Sequence, residues 1–312
     1  MTGRPAMSDP RPLDISDDVR SALERREPVV ALESTIITHG MPQPENIATA
    51  RAVEEVVRVH GALPATIAVV GGRIKVGLSP EEVEWLGTAA NVLKLSRADL
   101  PYAVAAGRHG STTVAATMIC AHLAGIRVFA TGGIGGVHRG VEETLDISAD
   151  LDELATTPVV VVCAGAKAIL DLPRTLEYLE TRGVPVVGYQ TDHFPAFWSR
   201  RSDLPVPMRL DAPATIADLV RAKDSLGLRG GVLVGNPIPA QDEIPFCEMQ
   251  DLISQAVEEA RRTGIKGKAV TPFLLSLLNR ITEGRSLAAN VALVKHNAAL
   301  AAQISASLAQ QS

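Results

Sequence analysis

Apolar residues in this chain occur either in short uninterrupted runs or at helical spacing. The runs predict buried strands over residues 29–32, 65–70, 73–76, 92–95, 128–130, 159–163, 184–189 and 231–234. Apolar positions three and four residues apart predict helices over residues 16–26, 45–60, 111–124, 175–182, 215–226, 249–263, 272–281 and 286–308. Another helix is predicted to begin at Ser79-Pro80-Glu81-Glu82, because a capping serine, a proline and two acids are typical of a first turn.

Strands that alternate with helices along the whole chain predict an α/β fold. We expect a single three-layer α/β/α domain over residues 13–312, with a central, largely parallel or mixed sheet and a possible smaller second sheet. Residues 1–12 are predicted to form a flexible tail. Residues 36–44 and 190–201 are expected to be irregular.

Charge and cysteine content narrow the class of function. The formal net charge of −5 predicts no basic surface for nucleic acid or an anionic membrane. No apolar run reaches the length that spans a bilayer. Three scattered cysteines, Cys120, Cys163 and Cys247, indicate a reducing compartment. We therefore expect a cytoplasmic protein whose partners are small molecules.

Lys167 follows the apolar run 159–163 and has alanine, glycine and isoleucine around it. Loss of hydration lowers the pKa of an amine, and a neutral amine can form a Schiff base with a carbonyl. The alternative is a lysine in the first turn of an exposed helix, with its ammonium group in solvent.

Glu33 ends the run 29–32 in a similar way. A half-buried carboxylic acid can remain protonated near neutral pH and act as a general acid. Alternatively, Glu33 caps a turn or pairs with an arginine. His39, six residues later, is a second candidate for acid-base chemistry or a simple hydrogen-bonding residue in a loop.

The glycine-rich run from Gly132 to Gly140 allows backbone N–H groups to approach an anion, with Thr131, His138 and Arg139 as additional donors. It matches neither a Walker A loop nor a GxGxxG motif that opens a helix. A tight structural turn explains the run equally well.

Asp146, Ser148 and Asp150 share one face if the segment is extended. Carboxylates, hydroxyls and water suit a hard divalent ion such as Mg²⁺ or Mn²⁺. The alternative is that the same residues cap a helix that begins near Leu151.

Taken together, these segments resemble the pseudouridine-5′-phosphate glycosidase family, whose members are also described as indigoidine synthase A-like. The resemblance extends from about residue 29 to about residue 305. It is strongest over residues 31–42, 94–97, 112–117, 130–150, 162–167, 188–191, 236–239, 271–275 and 286–290.

This resemblance implies an enzyme of pseudouridine degradation that reversibly cleaves pseudouridine 5′-phosphate to uracil and ribose 5-phosphate. It also implies a divalent cation, Mn²⁺ or another such as Mg²⁺, and a homotrimer of α/β/α subunits. By motif position, Lys167 matches the Schiff-base lysine, Glu33 the proton donor and Asp146 the metal ligand. The matching substrate contacts are Lys94, Val114, Ser148, Ala149 and Asp150, and Thr131, His138 and Asn290 lie in segments that line the family's pocket.

The chemistry of the substrate agrees with these roles. A carbon–carbon glycosidic bond has no leaving oxygen to protonate, so the paired-carboxylate route of ordinary glycosidases is closed. Our hypothesis is that Glu33 protonates the ring oxygen and Lys167 captures C1′ of the opened ribose as an iminium. A metal at Asp146, with Lys94 and the glycine-rich run, would hold the phosphate. A lysine-imine aldolase or nucleosidase acting on a related sugar phosphate, and a non-catalytic sugar-phosphate sensor, remain as alternatives.

Overall fold

The computed structural model describes residues 11–265, 267 and 270–310. Its strands are β1 (Leu13–Ile15), β2 (Val29–Leu32), β3 (Leu63–Val70), β4 (Arg73–Val76), β5 (Leu93–Leu95), β6 (Gly110–Thr112), β7 (Val128–Ala130), β8 (Val160–Cys163), β9 (Val186–Tyr189), β10 (Met208–Leu210) and β11 (Val232–Gly235).

The helices are α1 (Asp17–Glu24), α2 (Glu45–Val59), α3 (Pro80–Thr88), α4 (Leu100–Ala105), α5 (Val114–Ala124), α6 (Val141–Thr144), α7 (Ala149–Thr156), α8 (Leu172–Thr181), α9 (Pro213–Ser225), α10 (Phe246–Arg262), α11 (Val270–Ile281) and α12 (Arg285–Ala309). A π-helical turn (Ile36–Gly40) and a 3-10 turn (Ala240–Asp242) complete the described elements.

Strand β3 belongs to two sheets. Residues 63–66 pair in parallel with β2, within a parallel sheet of order β3-β2-β7-β8-β11-β9-β10. Residues 67–70 pair antiparallel with β4, and residues 68 and 69 also pair antiparallel with β6. The edge strands β1 and β5 then add in parallel to β4 and β6. The predicted central sheet with a smaller second sheet is therefore confirmed.

Helices cover both faces of the parallel sheet. Every residue of β2, β8 and β11 is buried, as expected for parallel strands with helices on either side. Helix α5 contacts β2, β3 and β7 and has α7 beside it, whereas α12 contacts β2, β7 and β8 and has α2 and α9 beside it. Because α5 and α12 both contact β2 and β7 but do not pack closely against each other, they lie on opposite faces, and the three-layer α/β/α prediction is confirmed.

Two local predictions are wrong. The helix predicted over residues 111–124 begins only at Val114, because residues 110–112 form β6 between β3 and β5. The loop predicted over residues 36–44 contains the π-helical turn. The prediction also omitted β1, β6, β10, α4 and α6, which have three to six residues each. Elements this short are formed by their partners rather than by a local pattern.

The predicted tail falls mainly on residues that the structure does not describe. Residues 1–10 lie outside the described part, and Arg11 and Pro12 lead directly into β1. The boundary between tail and domain stays a prediction. Among the described helices, none combines the length and apolar character that crossing a membrane requires.

Candidate active site

Three neighbouring parallel strands bring the first site residues together. The register aligns Leu32 of β2 with Ala130 of β7, and Ala130 with Val162 of β8. The next residues, Glu33 and Thr131, therefore emerge side by side at the carboxyl edge of the sheet, where open α/β folds bind ligands. There the Thr131 hydroxyl donates a hydrogen bond to Glu33 Oε1.

Lys167 reaches the same edge through a second pair of loops. After β8 the chain runs beside the glycine-rich loop: Ile134 N donates to Gly165 O at 3.1 Å, and Lys167 N donates to Ile134 O at 3.1 Å. The Lys167 ammonium donates to Gly133 O at 2.9 Å. Helix α8 begins only at Leu172. The alternative of a lysine in the first turn of an exposed helix is therefore wrong.

Gly165 makes this path possible. Its φ of +88° lies in the left-handed region, and a Cβ at this position would come within 2.0 Å of Pro195 O. An L-residue here would therefore be strained and would also displace the backbone at Pro195. This glycine lets the chain double back so that Lys167 faces the edge of the sheet.

The environment of Glu33 favours its protonated form. Burial raises the pKa of this carboxyl above its ordinary value, against the opposing effects of Lys167, the Thr131 hydrogen bond and Lys94. The Asp150 carboxylate adds to the increase in the pKa of Glu33. A carboxylic acid that keeps its proton close to neutral pH is suited to donate it to a substrate.

Glu33 and Lys167 line one cavity of about 800 Å³, a size typical of sites for small ligands. All but one of the candidate site residues line it: Glu33, Lys94, Val114, His138, Asp146, Ser148, Ala149, Asp150, Lys167 and Asn290. Thr131 is the exception. It is fully buried and lies one layer behind Glu33, where it orients the carboxyl group.

Ser148 and Asp150 start helix α7 instead of extending across the pocket. Ser148 is the N-cap, and its hydroxyl accepts from Asp150 N at 3.3 Å. The Asp150 carboxylate accepts from Ala115 N at 2.9 Å and from Gly135 N at 2.8 Å. The extended segment considered for metal binding is therefore wrong and the capping alternative is confirmed. Asp150 ties α7 to α5 and to the glycine-rich loop.

The glycine-rich loop is required for close packing. A Cβ on Gly133 would lie 2.6 Å from the Phe197 ring, and a Cβ on Gly135 would lie 2.2 Å from Ser148 Oγ. Arg139 donates to Gln250 Oε1 at 3.1 Å and does not line the cavity. Since Asp150 already occupies Gly135 N, the tight-turn explanation accounts for this part of the run.

Asp146 and His138 form one wall of the cavity. His138 N donates to Asp146 O at 3.0 Å, and His138 Nδ1 lies 3.9 Å from Asp146 Oδ2. Burial lowers the pKa of His138, while Asp146 opposes this decrease. The Asp146 side chain retains 41% of its exposure, so its carboxylate is accessible from the cavity.

This donor set fits a divalent ion only in part. Within the described ranges, no group of three or more His, Cys, Asp or Glu side chains is arranged to hold a metal. Mg²⁺ and similar ions are often bound by one or two carboxylates with water and a substrate phosphate. Asp146 fits an ion that is shared with substrate in this way, but not an ion held by the protein alone.

Sequence reasoning missed several residues of the cavity wall. Thr113 and Arg97 line it beside Val114 and Lys94, so position in the motif was their only signal. The Phe197 ring also lines it, and φ at Phe197 is +62°. Trp198 is fully buried and its Nε1 donates to Ser286 O at 3.0 Å. The irregular aromatic segment is therefore part of the core and of the cavity wall.

Comparison with known proteins gives consistent relatives over nearly the whole chain. A protein from Methylobacterium nodulans named pseudouridine-5′-phosphate glycosidase is 72% identical over 300 residues, which cover 96% of this chain and 89% of the relative. A protein of the same name from Solibacter usitatus is 66% identical and covers 95% of this chain and 99% of the relative.

Solved structures agree with these relatives. The prealnumycin C-glycosynthase in complex with ribulose 5-phosphate superposes with a TM-score of 0.89 at 42% identity, covering 96% of this chain and 98% of that one. An indigoidine synthase A-like protein from Thermotoga maritima has a TM-score of 0.87 at 36% identity, covering 96% and 97%. The family profile described as indigoidine synthase A like protein matches residues 18–307. This chain therefore belongs to the indigoidine synthase A-like family.

Proposed function

We propose that this chain is a pseudouridine-5′-phosphate glycosidase, which reversibly cleaves pseudouridine 5′-phosphate to uracil and ribose 5-phosphate. The observation that carries the proposal is the meeting of Glu33 and Lys167 at one edge of the sheet, inside one cavity. The names of the relatives from Methylobacterium nodulans and Solibacter usitatus support it. So does the C-glycosynthase structure, since that protein is named for C-glycoside chemistry and was solved with a pentose phosphate.

The first step opens the ribose ring. Glu33 donates its proton to the ring oxygen as the bond between that oxygen and C1′ breaks. The base supplies the electron pair, because loss of the proton at uracil N1 lets a double bond form between C5 and C1′. The raised pKa of Glu33 keeps the required proton on the acid.

The second step forms the bond to the enzyme. Lys167 passes its ammonium proton to the Glu33 carboxylate that the first step left, and the neutral amine adds to C1′ while the electron pair returns to the uracil ring. The adduct nitrogen then loses a proton, which restores its lone pair. A proton is then placed on uracil C5. The bond between C1′ and C5 breaks with its electron pair remaining on the base, while the nitrogen lone pair forms the iminium at C1′.

Hydrolysis completes the cycle. Water adds to the iminium carbon and releases the aldehyde of ribose 5-phosphate, which regenerates the Lys167 amine. The net reaction consumes one water for each C–C bond cleaved. The reverse sequence joins uracil to ribose 5-phosphate. Gly133 O, which accepts from the Lys167 ammonium at 2.9 Å, orients the nucleophile between turnovers.

The remote phosphate supplies binding energy that can be used at the reacting carbon. We place it beside Lys94 and the segment of Ser148 and Ala149, at the N-terminus of α7, where the helix dipole favours an anion. A divalent cation, Mn²⁺ or Mg²⁺, would be held by Asp146 with water and would neutralise part of the phosphate charge.

Asn290 suits contact with the uracil ring. It lines the cavity from α12, and its Oδ1 is buried without a hydrogen-bond partner among the described residues. Val114 lines the cavity at the start of α5. An unsatisfied buried acceptor favours a ligand that brings an N–H group, as uracil does.

Two properties follow from the family resemblance rather than from this site. We propose a homotrimer, which sedimentation velocity would test. We also propose a cytoplasmic location, which the free cysteines Cys120, Cys163 and Cys247 support.

The decisive experiment is synthesis followed by trapping. Purified protein is incubated with uracil, ribose 5-phosphate and Mn²⁺, and a C-nucleotide that resists acid hydrolysis is expected. Borohydride added during turnover should leave a reduced ribose-phosphate adduct on the peptide that contains Lys167. The control is Lys223→Ala, which should give the same adduct on Lys167, since Lys223 donates to Leu228 O and Gly230 O and does not line the cavity.

The outcomes separate the candidates. An adduct on another residue would contradict the role of Lys167. Binding of ribose 5-phosphate without cleavage or synthesis would instead indicate the non-catalytic sensor. Turnover of N-nucleotides in place of pseudouridine 5′-phosphate would indicate a nucleosidase.

A further inference from the structure

His39 lines the cavity but has no part in the mechanism above. It lies in the π-helical turn Ile36–Gly40, which begins three residues after Glu33. Short π-helical turns are uncommon and are frequently found at functional sites. The position of this ring at the cavity wall therefore requires a physical explanation.

Two hydroxyl groups hold the ring through one of its nitrogens. His39 Nδ1 lies 2.5 Å from Thr38 Oγ1 and 3.3 Å from Ser111 Oγ, and Thr38 Oγ1 donates to Ser111 Oγ at 2.7 Å. No partner for His39 Nε2 is found in the part of the chain that the structure describes. With Nδ1 engaged and the residue at the cavity wall, Nε2 is the ring nitrogen left to contact a ligand.

Lys94 is the charged neighbour of this ring. Ser111, which holds His39, stands opposite Lys94 in the register of β5 and β6. Burial lowers the pKa of His39, and the positive charge of Lys94 lowers it further. The pKa values of Glu33 and His138 are affected by Lys167 as well as by Lys94, whereas that of His39 is affected by Lys94. Glu33 and His138 therefore lie nearer to Lys167 than His39 does. His39 therefore belongs to the Lys94 end of the cavity.

We propose that His39 is a ligand of the substrate's 5′-phosphate, which it contacts through Nε2 beside Lys94. This inference rests on the proposed function, because that function supplies the phosphate. The neighbours that hold the ring, Thr38 and Ser111, are neutral, and Lys94 is cationic. With Nε2 protonated, the imidazolium and the Lys94 ammonium together suit a dianion better than the lysine alone.

Phosphate binding should then be linked to a proton. In the free enzyme the low pKa of His39 keeps the ring neutral at neutral pH. A dianion beside the ring favours its charged form and raises the pKa, so binding takes up protons. Because the bound state holds more protons, the contribution of His39 to affinity weakens as pH rises through the bound-state pKa.

The test compares His39→Gln with wild type. Glutamine keeps a neutral amide donor near the position of Nε2 but cannot be protonated. In the synthesis direction we expect the KM for ribose 5-phosphate to rise by about 5-fold to 10-fold, the difference between a hydrogen bond from a charged donor and one from a neutral donor. The KM for uracil should be unchanged, and kcat should stay within about threefold.

Calorimetry supplies a readout that a purely structural role would not change. Binding of ribose 5-phosphate is measured at pH 7.5 in two buffers of different ionisation enthalpy. Wild type should take up more protons on binding than His39→Gln. The control is His122→Gln, an exposed histidine of α5 that does not line the cavity and should behave as wild type.

A second variant guards against misfolding. Thr38→Val removes a hydroxyl that holds Nδ1 and keeps the imidazole, so we expect a smaller increase in the same KM. A loss of kcat with unchanged affinity for ribose 5-phosphate would overturn the proposal and make His39 a proton-transfer group. Equal proton uptake in wild type and His39→Gln would also overturn it. Wild-type turnover decides the proposed function independently of either variant.

Discussion

The hydrogen bond from Thr131 to Glu33 should help to set the pH above which Glu33 is deprotonated and cleavage stops. The Thr131 hydroxyl donates to Glu33 Oε1 and stabilises the ionised carboxylate, which lowers the pKa of Glu33 against the larger effect of burial. Thr131→Val replaces this hydroxyl by a methyl group of similar size at a fully buried position. The substitution therefore removes the donor while it leaves the packing nearly unchanged.

The magnitude follows from the type of hydrogen bond. A hydrogen bond to a charged group contributes about 1.5–3 kcal/mol. Since one pKa unit corresponds to about 1.36 kcal/mol, the pKa of Glu33 should rise by about one to two units in Thr131→Val. Cleavage needs protonated Glu33, so the alkaline limb of kcat/KM should move to higher pH by the same amount.

The assay is the pH profile of pseudouridine 5′-phosphate cleavage, followed by release of uracil. Thr117→Val is the matched control, because Thr117 is also fully buried but donates to Thr112 Oγ1 at 2.9 Å, away from Glu33. Its alkaline limb should coincide with that of wild type. If a folded Thr131→Val enzyme keeps the wild-type limb, or shifts it to lower pH, Glu33 is not the acid that limits the reaction.

Three further outcomes are expected. Gly165→Ala should unfold at a much lower temperature than Gly125→Ala. Both glycines have a positive φ, but of the two only Gly165 has a backbone oxygen, that of Pro195, 2.0 Å from the position of the new Cβ. Equal melting temperatures would contradict this. Asp146→Asn should abolish any stimulation by Mn²⁺, and unchanged stimulation would place the ion elsewhere. Burial raises the pKa of Glu33 in the folded protein above its pKa in the unfolded chain. Between these two pKa values the folded state binds more protons, so the free energy of unfolding of the wild type falls as pH rises. The Glu33→Gln variant has no ionisable group at this position, so urea denaturation should show its stability relative to wild type increasing from pH 4 to pH 8.

Local patterns were sufficient for the strands that build the site. The uninterrupted apolar run over residues 29–32 predicts β2 with its observed bounds, because a strand covered on both faces needs no alternation. The predicted helix start at Ser79 is also confirmed, and there Ser79 is the N-cap of α3 and forms a capping box with Glu82. Such features depend on neighbouring residues in the chain and can be recognised without the fold.

Other features depend on residues far apart in the chain. Ser111 and Thr112 of β6 look like the start of a helix, and only pairing with β3 and β5 makes this segment a strand. Asp150 resembled a metal ligand until the structure showed its carboxylate bound to Ala115 N and Gly135 N. A free carboxylate and one occupied by backbone donors have the same sequence signature.

The fold class, the family and the two residues proposed for the chemistry can all be inferred from the amino-acid sequence, since motif and strand pattern are local properties of the chain. Which of the polar residues meet is set by the packing of distant segments. The packed chain puts Thr131 behind Glu33, turns Lys167 toward the sheet edge through Gly165, and holds His39 at the cavity wall through its Nδ1 contacts with Thr38 and Ser111. The reason is that the pKa and reach of a side chain depend on groups brought near it by strand register and loop packing, and not by proximity in sequence.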